Sequence, residues 1–521
     1  MNFKRNCLGI IALITSALVV TSCQDSNAFS SYQFINEVQD THEEFVASDG
    51  SYKKFGNYKS YVARLDASTT VELGSTYEVL TNYTDRNILE ATGDRKILVV
   101  PVEFSDFTIQ HLGVKPEEYI SNLNKAFFGS SKNNKFVSVA EYYNRSSYGK
   151  LRISGKVCDR FYTYPKTAYE INLNSNKISR DTVQDCYSKV LTWYENTYHE
   201  SLDEYRIDPE HGNNDIAMYL VYTYPTELNE QNPDFFWAFT FQNKPLSWSS
   251  YSFMNTLAGY PDAHTFIHEV GHLFGLVDYY PKSKTSADPS GRIDMMDCSV
   301  GDHTALSKMW MNWARPYWVQ NSCEITINSL ADAGDLILIN DVWNGTVFDE
   351  YYVLEFYTPT GLNHYDVNAG VMVNNNEVVK LPTLPGVKIY HVDARLGYFG
   401  KNPKPGENRG DFSHYCDEES PAAAAPKVDL NNVKIDIVHD NSTYTQIEET
   451  DYHLKNYLYE LELNHVGHSV NGCATNLNLF RAGDSFEELA FNKKNTTNYK
   501  ITVERISFRD ATIKIEKVIE K

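Results

Sequence analysis

The stretch His264-Thr-Phe-Ile-His268-Glu269-Val-Gly-His272-Leu-Phe-Gly275-Leu-Val-Asp278 constrains this chain more than any other. Residues at i and i+4 of a helix lie one turn apart on a single face. His268 and His272 therefore present two imidazoles in the same direction, and their ring nitrogens can converge on one metal ion. Glu269 follows the first histidine and sits beside the point of convergence, placed to take a proton from water. Gly275 falls where the helix must stop and the chain must turn sharply, which calls for a residue tolerant of unusual dihedrals. The pattern points to a zinc-dependent hydrolase.

The third ligand can be approached by elimination. One large class of zinc peptidases takes a glutamate from a second helix downstream, but no glutamate occurs between Glu269 and Glu324, and Glu324 lies in a segment that reads as β. The nearby aspartates are Asp278, Asp288, Asp294, Asp297 and Asp302, and Asp278 alone has the glycine-turn spacing. Asp278 is expected as the ligand; the alternative is a structural role in capping the turn. Asp294-Met295-Met296-Asp297 follows after a short loop, where a methionine turn would underlie the metal, with Met296 favoured over Met295.

The run from His268 to Tyr280 resembles the immune inhibitor A family of secreted metallopeptidases, within the metzincin superfamily. Three further stretches are similar to that family: Ser138 to Leu151, as a helix and turn before a strand; Asp302 to Trp313, as the helix after the methionine turn; and Gly386 to Asp393, as a strand. The resemblance spans about residues 95 to 395 and implies zinc on His268, His272 and Asp278, Glu269 as general base, and protein or peptide substrates. Several metzincins place a tyrosine two residues after the turn methionine; Cys298 stands there in this chain, so tyrosine assistance to an oxyanion comes from elsewhere, Tyr280 being one candidate, or is absent. The resemblance adds no support for a calcium site.

The ends and the charge place the chain. Lys4 and Arg5 precede an apolar run, Leu8 to Val20, that is too short for a comfortable membrane span. Val20-Thr-Ser-Cys23 resembles a bacterial lipoprotein signal box, so residues 1–22 read as a signal peptide and Cys23 as a lipidated residue on the outer face of a cell membrane, with release from the cell as the second outcome. An ordinary secretory signal with an incidental cysteine is the competing reading. A formal net charge of −21 argues against nucleic-acid partners and against electrostatic docking on an anionic membrane, leaving the lipid as the membrane contact. A monomer is expected. Cys158, Cys186, Cys298, Cys323, Cys416 and Cys473 allow fifteen pairings or none, and their spacing suggests no metal site.

Residues 23–93 read as a tether, a pro-segment or a strand-rich cap. Residues 94–320 read as an α+β metzincin-like catalytic domain, a mixed sheet with a central zinc-binding helix: strands at Ile97 to Phe104, Leu151 to Val157 and Ile216 to Tyr224, helices at Pro116 to Phe128, from Ser138, around Val183 to Tyr194, Ala263 to Gly275 and Thr304 to Trp313. Ser138 with Glu141 reads as a capping box. Residues 321–521 read as an all-β, sandwich-like region with strands at Cys323 to Ile327, Leu336 to Ile339, Tyr351 to Phe356, Val387 to Val392, Lys500 to Phe508 and Ala511 to Val518, and a loop-like stretch from Lys401 to Lys427.

Other residues carry two readings each. His264 can tune the site or sit on the surface at the helix entry. His303 can line a substrate pocket, while Asp302 beside it can cap a helix. His391 and Asp393 can bind a second metal or form a structural pair. Trp237 and Trp248 can flank a substrate-binding edge strand or simply pack. The functional expectation is an extracellular zinc endopeptidase; the rival is a surface adhesion or binding lipoprotein that keeps the scaffold without turnover.

Overall fold

A computed structural model describes residues 68–83, 87–131, 137–173, 180–225, 237–241, 244–254, 261–279, 290–297, 299–340, 342–373, 377–394, 473–486 and 498–518 apart from 508, with isolated strands and single positions elsewhere. The fold is α+β with several sheets. The apolar run Ile97-Leu-Val-Val forms the middle of a long strand, Gly93–Phe104, at the centre of the first sheet. Parallel partners flank it: Leu151–Val157 on one side, and Met218–Tyr222 then Leu246–Ser250 on the other. The sheet ends in a short antiparallel edge strand, Phe239–Phe241. Pro101 is tolerated in this central strand because its missing N–H points to the side where the partner changes. Pairing with Leu151–Val157 stops at Val99, and pairing with Tyr162–Tyr164 begins at Val102.

Alternate residues of the central strand serve two cores, which is why the run is apolar throughout. Ile97 and Val99 face the helices Pro116–Phe128, Val139–Ser146 and His264–Leu273. Leu98, Val100 and Val102 face Val183, Cys186, Val190 and Tyr194 of the helix Arg180–Tyr198. The expected helix and strand positions are found here, with one local difference. Ser138 Oγ accepts from Glu141 N at 3.1 Å, but the Glu141 carboxylate accepts from Ser131 N and pairs with Arg145, so the capping box is only half made.

In the C-terminal half the expected strands form as Cys323–Asn328, Leu336–Ile339, Glu350–Tyr357, Gly386–Asp393, Tyr499–Ile506 and Asp510–Lys517. The region is not purely β, since Leu330–Ala333 and Asn363–Asn368 are short helices. One six-stranded sheet is buried on both faces. Ile337, Ile339, Leu354 and Ile389 pack with Ile325, Ile501 and Ile513 of a five-stranded sheet. Leu336, Leu338, Val353 and Val392 share a core with Val270, Leu273 and Met296. Residues on both sides of position 320 thus belong to one continuous core.

Part of the segment 23–93 is built into the same body. Ser68–Thr70 adds an edge strand to the six-stranded sheet, pairing with Tyr317–Val319. Thr76–Tyr83 is a helix, and Leu80, Ile88, Leu89 and Ala91 lie in the core that holds the motif helix. The expected signal peptide and Cys23 lie outside the described residues, as does the expected loop 401–427 apart from the two-residue strand Arg409–Gly410. Among the described residues no helix is long and apolar enough to cross a membrane. Cys158, Cys186 and Cys323 are free and buried, and Cys473 is buried; Cys298 and Cys416 lie outside the described residues.

Candidate metal centre

The motif forms the helix His264–Leu273, buried along its whole length. Its end is set by Gly275, which has φ +87°. Gly275 N donates to His272 O at 3.0 Å and Leu276 N to Gly271 O at 3.2 Å, a paired closure that only a left-handed residue permits without strain. Leu80 and Ile88 lie against Gly275, so close that a Cβ there would sit 2.9 Å from each. Leu89 N donates to Leu273 O at 2.7 Å. The reversal brings Leu276 O to His272 Nδ1 at 2.8 Å and carries Asp278 back over the helix.

His268 Nδ1 is held in the same way, 2.8 Å from Met295 O. In both histidines Nδ1–H donates to a carbonyl, which leaves Nε2 as the nitrogen that binds a metal once it is deprotonated. Asp278 Oδ1 lies 3.1 Å from each Nε2, and the two rings stand at 87° to each other. These atoms form the cluster among the described residues that can hold a metal ion. Tetrahedral zinc with bonds of about 2.0–2.1 Å places neighbouring ligand atoms about 3.3 Å apart, so the donor types and spacing fit that ion. The Asp278 side chain is 31 % exposed while those of His268 and His272 are 5 % and 11 % exposed, so the cluster opens to solvent on the aspartate side. Burial works against charge on His272, but the Asp278 carboxylate beside it wins and lifts the imidazole to about 9. Burial likewise opposes charge on Asp278, and the His272 and His268 imidazoles hold its carboxyl well below the ordinary range. A carboxylate between two imidazoles is a site that favours a positive charge.

Glu269 is fully buried on the sheet side of the helix. Its Oε2 accepts from Thr240 Oγ1 at 2.9 Å, while Oε1 has no partner. Burial raises its carboxyl above the ordinary value, against the pull of His272 and His268. Thr240 belongs to the edge strand Phe239–Phe241 and also lies 2.7 Å from Glu269 O and 2.8 Å from Ser247 Oγ. Nothing in the sequence marks Thr240, which is 29 residues from Glu269 and reaches it only through sheet pairing.

Met296 is the methionine beneath the helix: its sulfur would lie 2.5 Å from a Cβ on Gly271. Met295 supplies its carbonyl to His268 instead. Tyr280 and Cys298, the residues weighed for oxyanion assistance, lie outside the described residues, as does Asp288.

Several secondary expectations change. His264 is buried, not a surface residue, and its N–H and Nδ1 face Asp262 Oδ1 at 3.1 and 3.3 Å. His303 is buried among the rings of Tyr142, Tyr143 and Trp313 with Nδ1 3.2 Å from Asp294 Oδ1, and so does not line a pocket. Asp302 pairs with Lys308 at 2.7 Å and leaves the start of the helix Ala305–Trp310 to others: Thr304 N donates to Asp294 Oδ2 and Ala305 N to Glu355 Oε2. His391 pairs with Glu350 at 2.9 Å; the Asp393 side chain lies outside the described residues. Trp248 packs with its ring tilted at 33° to Tyr222 and Trp237 edge-on to Phe253, both buried, in keeping with the packing reading of the two. Among known proteins, no family model matches the chain and no curated protein is similar to it.

Proposed function

We propose that this protein is a zinc-dependent endopeptidase of the immune inhibitor A type, with a metzincin-like catalytic region and a sandwich-like C-terminal pair of sheets. The observation that carries the reading is the convergence of His268 Nε2, His272 Nε2 and Asp278 Oδ1 beside a buried carboxylate with one unpartnered oxygen. Zinc held there would supply Lewis acidity, lowering the pKa of water in its open position and polarising a carbonyl.

The chain's own residues do the rest. Met295 O and Leu276 O fix the tautomers and tilt of the two imidazoles. Glu269 Oε1 takes the proton from the attacking water and returns it to the departing amine, while Thr240 holds Oε2 in place. Burial raises the Glu269 carboxyl, which makes it a stronger base toward water than an exposed glutamate. Among the described residues Phe239–Phe241 is the edge of its sheet, so its outer side can pair with an extended peptide. The signal-like N-terminus and the net charge of −21 support an exported, lipid-anchored protein acting on proteins outside the cell.

The test is digestion of a peptide library by the purified protein, untreated, stripped with a chelator and reloaded with zinc. Cleavage that disappears on stripping and returns with zinc is the expected result. A zinc-loaded protein that cleaves nothing, or cleavage indifferent to the chelator, overturns the reading; the first outcome is what the adhesion or scaffold alternative requires.

A further inference from the structure

Asp294 has no exposed surface, yet its carboxylate faces five donors. Oδ1 accepts from Met296 N at 2.8 Å and lies 3.2 Å from His303 Nδ1. Oδ2 accepts from Thr304 N at 2.7 Å, Thr304 Oγ1 at 2.7 Å and Ser307 Oγ at 2.8 Å. Burial alone would push this carboxyl up, but the His303 imidazole and these hydrogen bonds bring it down to about 2, so it stays ionised as a fixed acceptor.

What the carboxylate fixes is the turn beneath the metal cluster. With Met296 N held by the side chain and Asp297 N donating to Asp294 O at 2.9 Å, the turn closes on itself. The carbonyl of Met295 then faces His268 Nδ1. The carbonyl of Met296 accepts from Tyr279 N at 2.9 Å, the residue next to Asp278. The Met296 sulfur lies against Gly271, the neighbour of His272. Three contacts from one turn thus reach all three ligand positions. At its other end Asp294 is anchored to the start of the helix Ala305–Trp310, where Glu355, itself paired with Lys388 at 2.6 Å, holds Ala305 N.

We propose that Asp294 is a positioning residue of the metal centre: through the Met295–Met296 turn it sets how His268 and Asp278 present to the ion, and so sets metal affinity and release. The proposal rests on the zinc reading above. Residues that orient metal ligands typically change affinity by about 10–100-fold when altered.

The test measures zinc affinity and the zinc release rate by chelator competition in folded protein, for wild type, Asp294→Asn, the pair Thr304→Val with Ser307→Ala, and Glu350→Gln. Glu350→Gln weakens the buried Glu350–His391 pair in the C-terminal sheet, so it controls for a general loss of stability. The expected result is zinc bound at least about 10-fold more weakly, and released faster, in Asp294→Asn. The Thr304/Ser307 pair, which keeps the carboxylate and the Thr304 N contact but removes both hydroxyl donors to Oδ2, shifts in the same direction by about 3-fold or more. It remains informative if Asp294→Asn does not fold. Glu350→Gln keeps the wild-type affinity even where its Tm falls. Unchanged affinity in the folded Asp294 or Thr304/Ser307 variants overturns the proposal and leaves the zinc reading standing, as does an equal loss in Glu350→Gln. A wild type that binds no zinc overturns both.

Discussion

The Thr240 hydroxyl lies 2.9 Å from Glu269 Oε2 and 2.7 Å from Glu269 O, so the edge strand of the first sheet grips both the side chain and the backbone of the expected general base. Replacing Thr240 with valine keeps the shape and removes the hydrogen bond. The expected loss is about 10-fold in kcat, the scale of one hydrogen bond to a charged group, with KM within about 2-fold and zinc content unchanged. Thr240→Ser should restore most of the rate. An unaltered kcat in Thr240→Val would show that the contact is packing without consequence for the reaction.

Glu269→Gln removes the base while keeping its volume. Peptide cleavage should fall by at least about 100-fold, with zinc stoichiometry as in wild type. Metal analysis and cleavage assays on the same sample decide it; near-normal turnover would exclude Glu269 from proton transfer.

Gly271 is small because Met296 occupies the space its side chain would need: an added Cβ would meet the Met296 sulfur at 2.5 Å and Tyr143 OH at 3.1 Å. Gly271→Ala should cost about 1–3 kcal/mol through overpacking. Combining it with Met296→Ala should recover part of that loss, a coupling measurable by denaturant unfolding of the four members of the cycle. Strict additivity would mean that the helix and the turn do not share this space.

Asp332, in the short helix Leu330–Ala333, has Oδ1 unpartnered, and burial lifts its carboxyl to about 7, against the attraction of Lys308. A raised carboxyl means that the folded protein holds the proton more tightly than the unfolded chain. That stabilisation is complete below about pH 4 and is lost as pH rises through 7. Asp332→Asn cannot ionise, so its Tm relative to wild type should climb between pH 5 and pH 8. Thermal melts across that range check it, and a constant difference would contradict the burial argument.

The motif was legible because its logic is local. Helical periodicity alone puts His268 and His272 on one face, and the positive φ at Gly275 is a property of a single residue that the spacing to Asp278 makes explicit. Strands such as Leu151–Val157 and Leu336–Ile339 were readable for the same reason: alternation or an unbroken apolar run describes the strand's own two faces. The unbroken run Leu336-Ile-Leu-Ile also carried a signal of burial on both faces, which shows how the second sheet can share a core with the motif helix.

Other features required the chain to come together. His264 reads as a surface residue in sequence and is buried in the fold. Thr240, the Met295 carbonyl, Asp294 as the support of the turn, and Leu80 with Ile88 against Gly275 are each contributed by separate segments. Sequence by itself determined which residue types could meet at a metal and in what helical order, because bond geometry and backbone dihedrals act over a few residues. Tertiary structure decided which atoms they meet and how firmly they are held. Those hydrogen bonds and packing contacts form between strands, turns and helices whose pairing is set by the burial of the whole core.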